Sequence, residues 1–258
     1  MDTYTLHRGT APLLISLPHD GTAVPDGIAA RLTDSARRVP DTDWHVSKLY
    51  DFARDMGASL LVPKYSRYVV DLNRPPDDVS LYPGQNTTGL CPHLQFSGEP
   101  VYLDGQDPGE DEVASRVEQY WRPYHQALQA ELQRIHAQHG RAVLWEGHSI
   151  RGVVPFLFEG RLPDLNLGTA AGTSCSPSLQ SRLESVLASQ ERYDFIVNGR
   201  FKGGYITRQY GDPANGIDAV QLEISQRIYM DEDSYAWDEA KAAQTQEVLR
   251  ALLGCVLA

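Results

Sequence analysis

Three cysteines in 258 residues, Cys91, Cys175 and Cys255, are too few and too far apart to staple a fold. They form no CxxC pair, so neither a disulfide framework nor a thiolate zinc site is expected, and the thiols read as reduced and unpaired. No apolar run approaches the ~18 residues of a membrane span, and the first, at 12–17, is broken at once by Pro18-His19. Nor is there a basic cluster: 23 Lys and Arg face 34 Asp and Glu, a net charge of −11 that repels polyphosphate backbones and anionic lipid. The expectation is a soluble cytoplasmic protein with no nucleic-acid or membrane partner; composition leaves its oligomeric state open. HExxH, GxSxG, P-loop and GxGxxG patterns are absent too, which removes the simplest metalloprotease, serine hydrolase and nucleotide-binding readings.

What is present is an ordinary globular mixture, 41% apolar, long enough to bury a core without covalent help. Strand-length apolar runs occur at 13–17, 59–62, 68–72, 142–145, 194–198 and 220–224. Between them lie helical periodicities: Val46 to Met56, stopped by Gly57; Val113 through Ile135, stopped by Gly140 and kinked by Pro123; a Ser176-Pro177 start running to Leu187; and a closing amphipathic stretch at 236–253. The alternation predicts one α/β domain over 1–258, a three-layer sandwich with a mixed, mostly parallel sheet flanked by helices. The stretch 75–109 dissolves into Pro, Gly, Asp and Asn, a loop insertion long enough to act as a lid or wall.

Ligands in such folds sit beyond the carboxyl ends of strands, and reactive side chains gather there. Of eight histidines, His19 and His148 stand in Gly-containing turns at strand ends, where they suit a metal site, an acid–base pair or a structural role. A catalytic zinc takes three protein ligands and leaves a position for water. Asp43, at the mouth of the 46–56 helix, is the sensible third ligand; Asp41 and Glu146 are rivals. Arg67 and Arg74 bracket the 68–72 run, and Arg208 follows a double-glycine turn, with Arg200 and Lys202 nearby. Arginine suits a planar carboxylate clamp. Glu223, inside Val220-Gln221-Leu222-Glu223-Ile224, faces either solvent or the cleft as an acid–base group.

Long stretches then carry a resemblance: SLPHDGTAVP, DTDWHVSKLYDFA, SRYVVDLNRPPDD, LYPGQNTTGLCP, YWRPYH, LWEGHSIRGVVPFLFEGRLPDLNLGT, NGRFKGGYITRQYGDP and AVQLEISQRIYM. In this order they resemble the N-formylglutamate deformylases (amidohydrolases) of bacterial histidine breakdown, with departures at Glu146-Gly147, where a small residue and Asp are usual, and at Gln209, often His. That family is similar in fold to zinc carboxypeptidases. The resemblance implies hydrolysis of the small dianion N-formyl-L-glutamate to formate and glutamate with one divalent metal, zinc. It implies His19 as first ligand and His148 as last, Asn73-Arg74 as a carboxylate clamp and Glu223 as catalytic glutamate. Beside these, Arg208 is expected to join the clamp and Arg67 to stand at the oxyanion. Carboxypeptidases take a carboxylate ligand three residues after the first histidine; Thr22 stands there and cannot serve, which leaves Asp43. A metal-dependent amidohydrolase or carboxypeptidase acting on another N-acyl acidic amino acid, and a binding module for acidic amino acids without turnover, are the competing readings.

Overall fold

In the computed structural model, which describes residues 2–80, 84 and 87–258, four of the six apolar runs become inner strands of one sheet. In chain order the strands are β1 (Tyr4–His7), β2 (Leu13–Ser16), β3 (Ser59–Pro63), β4 (Ala142–Ile150), β5 (Leu165–Gly168), β6 (Phe195–Val197) and β7 (Ile217–Ser225). Their order in space is β1-β3-β2-β4-β7-β5-β6. β3, β2, β4 and β7 run parallel, β1 and β5 pair antiparallel with β3 and β7, and β6 lies parallel to β5. The sheet is thus mixed and mostly parallel within an α/β fold, as expected.

The helices are α1 (Asp26–Ala29), α2 (Val46–Leu49), α3 (Glu110–Arg116), α4 (Arg122–His139), α5 (Pro177–Ser189), α6 (Tyr205–Tyr210) and α7 (Glu239–Leu257). Strand side chains alternate between two cores, as the two-residue period requires. Leu13, Ile15, Val143, Trp145, Val220, Leu222 and Ile224 pack with Val46 and Leu49 of α2, Leu179 and Leu183 of α5 and Leu249 and Leu252 of α7. Leu14, Leu144 and Ala219 face the other way, against Leu128, Leu132 and Ile135 of α4 and Ile206 of α6. Burial on both faces explains why the inner strands read as unbroken apolar runs.

Several expected elements take another form. Residues 68–72 are not a strand. Tyr68, Val69, Val70 and Leu72 are buried, but by α4 and the 90–102 segment, and their backbone is turned: Val69 N donates to Ser66 O at 2.9 Å and Arg74 N to Asp71 O at 3.2 Å. The 46–56 helix is one α turn followed by a 3₁₀ turn, Asp51–Arg54. Pro123 does not split the long helix. A π turn, Val117–Trp121, lies just ahead of it, and Pro123 stands at the start of α4, where a missing N–H is tolerated. The Asp238 carboxylate accepts from Ala240 N and Lys241 N, so α7 starts after it and not at 236. Ser176 caps α5 as expected, accepting from Leu179 N.

In the 75–109 insertion, Val101 and Tyr102 join Leu32, Ala36, Val39 and Tyr68 in a third core, and Leu90 and Cys91 pack on Val70 and Leu72. This described part is a packed wall. Leu81, Tyr82, Pro83, Gln85 and Asn86, within the LYPGQNTTGLCP stretch, lie outside the described residues. The three cysteines are free, and among the described residues no helix is long and apolar enough to cross a membrane.

Candidate metal and substrate site

The sheet face under α4 and α6 changes character along its length. Ala142 and Leu144 of β4 are followed on the same face by Glu146 and His148, and Ala219 of β7 by Gln221 and Glu223. Register pairs Glu146 with Gln221 and His148 with Glu223. β4 runs on to Ile150, so His148 belongs to the strand and not to a turn beyond it. Gly147 faces the opposite way, where a Cβ would stand 2.7 Å from Leu17 Cδ2 and 3.0 Å from Tyr50 Cε2; only glycine lets Tyr50 close over the strand.

His19 and His148 meet above this face with ring centroids 4.8 Å apart. His19 Nε2 contacts Asp71 Oδ1 at 2.7 Å and His148 Nε2 contacts Glu146 Oε1 at 2.7 Å. Both rings therefore turn Nδ1 towards Asp43 Oδ2, 3.8 Å from His19 and 3.0 Å from His148. Asp43 is held in place by its backbone, whose N donates to His19 O at 3.0 Å, and by Ser149 N, which donates to Oδ2 at 3.1 Å. One ligand atom from each of His19, Asp43 and His148 lies within 4.8 Å of the others, and all three residues are buried.

The donor set fits a divalent metal. Two imidazoles and one carboxylate are a catalytic zinc set, and each imidazole is backed by a carboxylate on its far nitrogen, the arrangement that fixes tautomer and ring orientation in such centres. The rivals are engaged elsewhere. Asp41 Oδ2 accepts from Tyr68 Oη at 2.6 Å and Phe96 N at 2.9 Å. Glu146 stands behind His148, its Oε2 accepting from Thr207 N at 3.0 Å and from the Thr207 hydroxyl.

Charge around the triad is closely compensated. Burial, helped by Arg67, lowers His19 below the ordinary histidine range despite Asp71 and Asp43. Burial would also lower His148, but Glu146 and Asp43 hold its proton and carry it well above that range. A divalent cation would take the place of that proton. Asp71 is pushed up by burial, yet His19, Arg67 and Arg74 hold it well below the usual carboxylate range. Burial pushes Glu223 up to about 8, against the pull of His148 and Arg67. Added positive charge in the triad would bring it down again.

A cleft of about 610 Å³, including its open mouth, lies over these groups. Its wall includes His19, Asp43, His148, Glu223, Arg67, Asn73, Arg74, Thr88, Arg200 and Gln221. Arg74 is aimed by its own loop: Nε donates to Thr88 O at 2.8 Å and Nη1 to Asn73 O at 3.0 Å. Arg67 is buried, with Nη2 on Asp71 Oδ2 at 2.6 Å and its guanidinium 4.8 Å from the Phe96 ring centroid; its Nε has no hydrogen-bond partner among the described residues. Asn73 Oδ1 accepts from Ile206 N at 2.9 Å, tying the clamp to the start of α6.

Arg208 departs from expectation. On α6, Ile206 and Thr207 are the buried positions; the next residue turns outward, so Arg208 is exposed and its Nε donates to Gly203 O at 2.9 Å. Among the described residues that line the cleft, Arg208 is not found. Arg200 is, its Nε donating to Leu157 O at 2.9 Å.

Residues 11–230 match the N-formylglutamate amidohydrolase family model. The chain belongs to this family. It is 52% identical over 255 residues to an N-formylglutamate deformylase of Pseudomonas putida, covering 98% of this chain and 95% of the relative. It is 50% identical to an N-formylglutamate deformylase of Pseudomonas aeruginosa, covering 100% and 97%. A crystal structure of N-formylglutamate amidohydrolase from Ralstonia eutropha JMP134 superposes with a TM-score of 0.84 at 26% identity, over 99% of this chain and 98% of that one. A protein of Agrobacterium tumefaciens shares the fold, with a TM-score of 0.72 at 18% identity over 99% and 96%.

In this amidohydrolase family member the structure brings together His19, Asp43, His148, Arg67, Asn73, Arg74 and Glu223, and leaves Arg208 outside. Sequence reasoning passed over Asp71, Thr88 and Gln221. Gln221 had a readable signal, since it stands two before Glu223 in the same strand and must share its face. Asp71 had none, because its role depends on a loop that reads as a strand.

Proposed function

We propose that this chain hydrolyses N-formyl-L-glutamate to formate and L-glutamate, as in histidine breakdown, with one zinc ion held by His19, Asp43 and His148. The observation that carries the reading is the pair of carboxylate-backed imidazoles converging on Asp43, at the floor of a cleft whose wall also holds Glu223 and three arginines. The deformylase relatives supply the substrate. Zinc in such a donor set polarises a carbonyl oxygen and lowers the pKa of water to about 7.

The chain's own residues do the rest. Water adds to the formyl carbon while the Glu223 carboxylate accepts its proton. When the C–N bond breaks, Glu223 returns that proton to the departing nitrogen, so glutamate leaves as an amine and not as an amide anion. Arg67, whose Nε is buried without a partner among the described residues, supplies a donor for the oxygen that gains charge; an unsatisfied buried donor costs about 1–3 kcal/mol, and a ligand oxygen relieves it. Arg74, steadied by Thr88 and Asn73, binds one substrate carboxylate. Arg200, from the wall, binds the other in place of Arg208. A dianion thus meets local positive charge in a protein whose net charge is −11.

Formate release from N-formyl-L-glutamate, N-formyl-L-aspartate and N-formyl-L-glutamine, with acetate release from N-acetyl-L-glutamate run beside it, tests the reading. Turnover should be fastest with the first and abolished by a chelator. Faster turnover of the acetyl compound, or none of any formyl compound by metal-replete protein, would overturn it.

A further inference from the structure

We propose that Trp121 and His125 are positioning residues that aim the Asn73-Arg74 clamp by holding the backbone carbonyls of Arg74 and of Leu72 beside it from the long helix. The inference deepens the proposed function and rests on it. The 68–74 segment supplies Asp71, which backs His19, Asn73, which lies 3.2 Å from His148 Nε2, and Arg74. It is not a strand, so no ladder fixes it, and its buried carbonyls need other partners.

For Val69, Leu72 and Arg74 those partners come from the helical run of α3 and α4. On α3, Arg116 Nη1 donates to Val69 O at 3.0 Å. From the end of the π turn, Trp121 Nε1 donates to Arg74 O at 3.0 Å, and on α4 His125 Nε2 contacts Leu72 O at 2.9 Å. A carbonyl can only accept, so Nε2 carries the hydrogen and Nδ1 accepts from Tyr210 Oη at 2.9 Å. The rings of Trp121 and His125 stack with centroids 3.7 Å apart and planes 23° apart, and Tyr205 closes on both. Tyr205 N in turn donates to Asn73 O at 3.4 Å.

The π turn, Val117–Trp121, starts directly after Arg116 and ends on Trp121, ahead of His125. One extra residue in the helical ladder shifts the faces on its two sides by about 100°. That offset lets Arg116 serve one end of the loop while Trp121 and His125 serve the other. Burial pushes His125 down to about 3, so it stays a neutral, single-tautomer donor.

Amide side chains separate the two ring nitrogens of His125. His125→Gln places an N–H donor near the Nε2 position, and His125→Asn can replace only Nδ1. For Trp121→Phe and His125→Asn, KM for N-formyl-L-glutamate should rise about three- to tenfold, with kcat within about twofold. Amide exchange of residues 72–74 should quicken by a similar factor, and His125→Gln should stay near wild type in both. Unchanged KM and exchange in Trp121→Phe and His125→Asn would overturn the proposal, whatever happens to Tm. So would equal losses in His125→Gln and His125→Asn. Exchange reads the brace without turnover, so inactive wild-type protein would refute the functional reading alone.

Discussion

Along β4 the side chains facing α4 are Ala142 and Leu144 at one end and Glu146 and His148 at the other; β7 repeats the pattern with Ala219, then Gln221 and Glu223. Both ends are almost fully buried: Leu144 and Glu146 are each 0% exposed. Burial therefore does not distinguish scaffold from site. Partners do. Leu144 packs in an apolar cluster, whereas Glu146 meets an imidazole, a hydroxyl and a backbone N–H. A buried carboxylate without such partners would cost several kcal/mol. The lower end supplies transfer free energy, about 1.5–3 kcal/mol for each large side chain, which keeps the polar upper end rigid.

Substitutions at the two ends should separate activity from stability. Glu223→Gln keeps shape and loses basicity, so kcat should fall about 10²–10⁴-fold with Tm and metal content close to wild type. If more than roughly a tenth of wild-type kcat survives, Glu223 is not the base. Leu144→Ala should do the reverse: about 2–5 kcal/mol of stability lost in denaturant titrations, with kcat of the folded fraction within about twofold. A loss of kcat as large as that of Glu223→Gln would erase the division between the two ends.

Arg200→Ala tests the cleft wall. Hydrogen bonds to a charged group are worth about 1.5–3 kcal/mol, so kcat/KM for N-formyl-L-glutamate should drop about ten- to a hundredfold. N-formyl-L-glutamine should be affected less, and Arg208→Ala should change neither substrate by more than about twofold. The opposite ranking would return the clamp to Arg208.

The last effect is in pH. His125 titrates at about 3 in the folded protein, below its unfolded value near 6.5, so the unfolded chain takes up the proton first. Its contribution to stability is complete above about pH 6.5 and is lost as pH falls towards 3, by up to ~1.4 kcal/mol per pH unit. His125→Gln should lack that component. Identical pH slopes in the two proteins would show that His125 does not stay neutral on folding.

The inner strands and the two site histidines were legible because buried parallel strands leave continuous apolar runs and reactive residues gather at their carboxyl ends. Glu223 was legible only as a choice between faces, which the β4–β7 register resolves. β1, at one edge, and β5, beside the other edge strand β6, were less visible: each has four residues, and neither is an unbroken apolar run. Residues 68–72 misled because the apolar side chains of a buried turn look like those of a strand. Arg200 and Arg208 could not be ranked, since their exposure depends on how six-residue α6 leaves the Gly203-Gly204 turn.

Metal analysis of wild type and the His19→Ala/His148→Ala double variant, run beside formate release, tests the central claim most directly. The account predicts about one zinc per chain in active wild type, and neither bound metal nor activity in the double variant. Stoichiometric metal in the double variant, or full turnover by metal-free wild type, would contradict it.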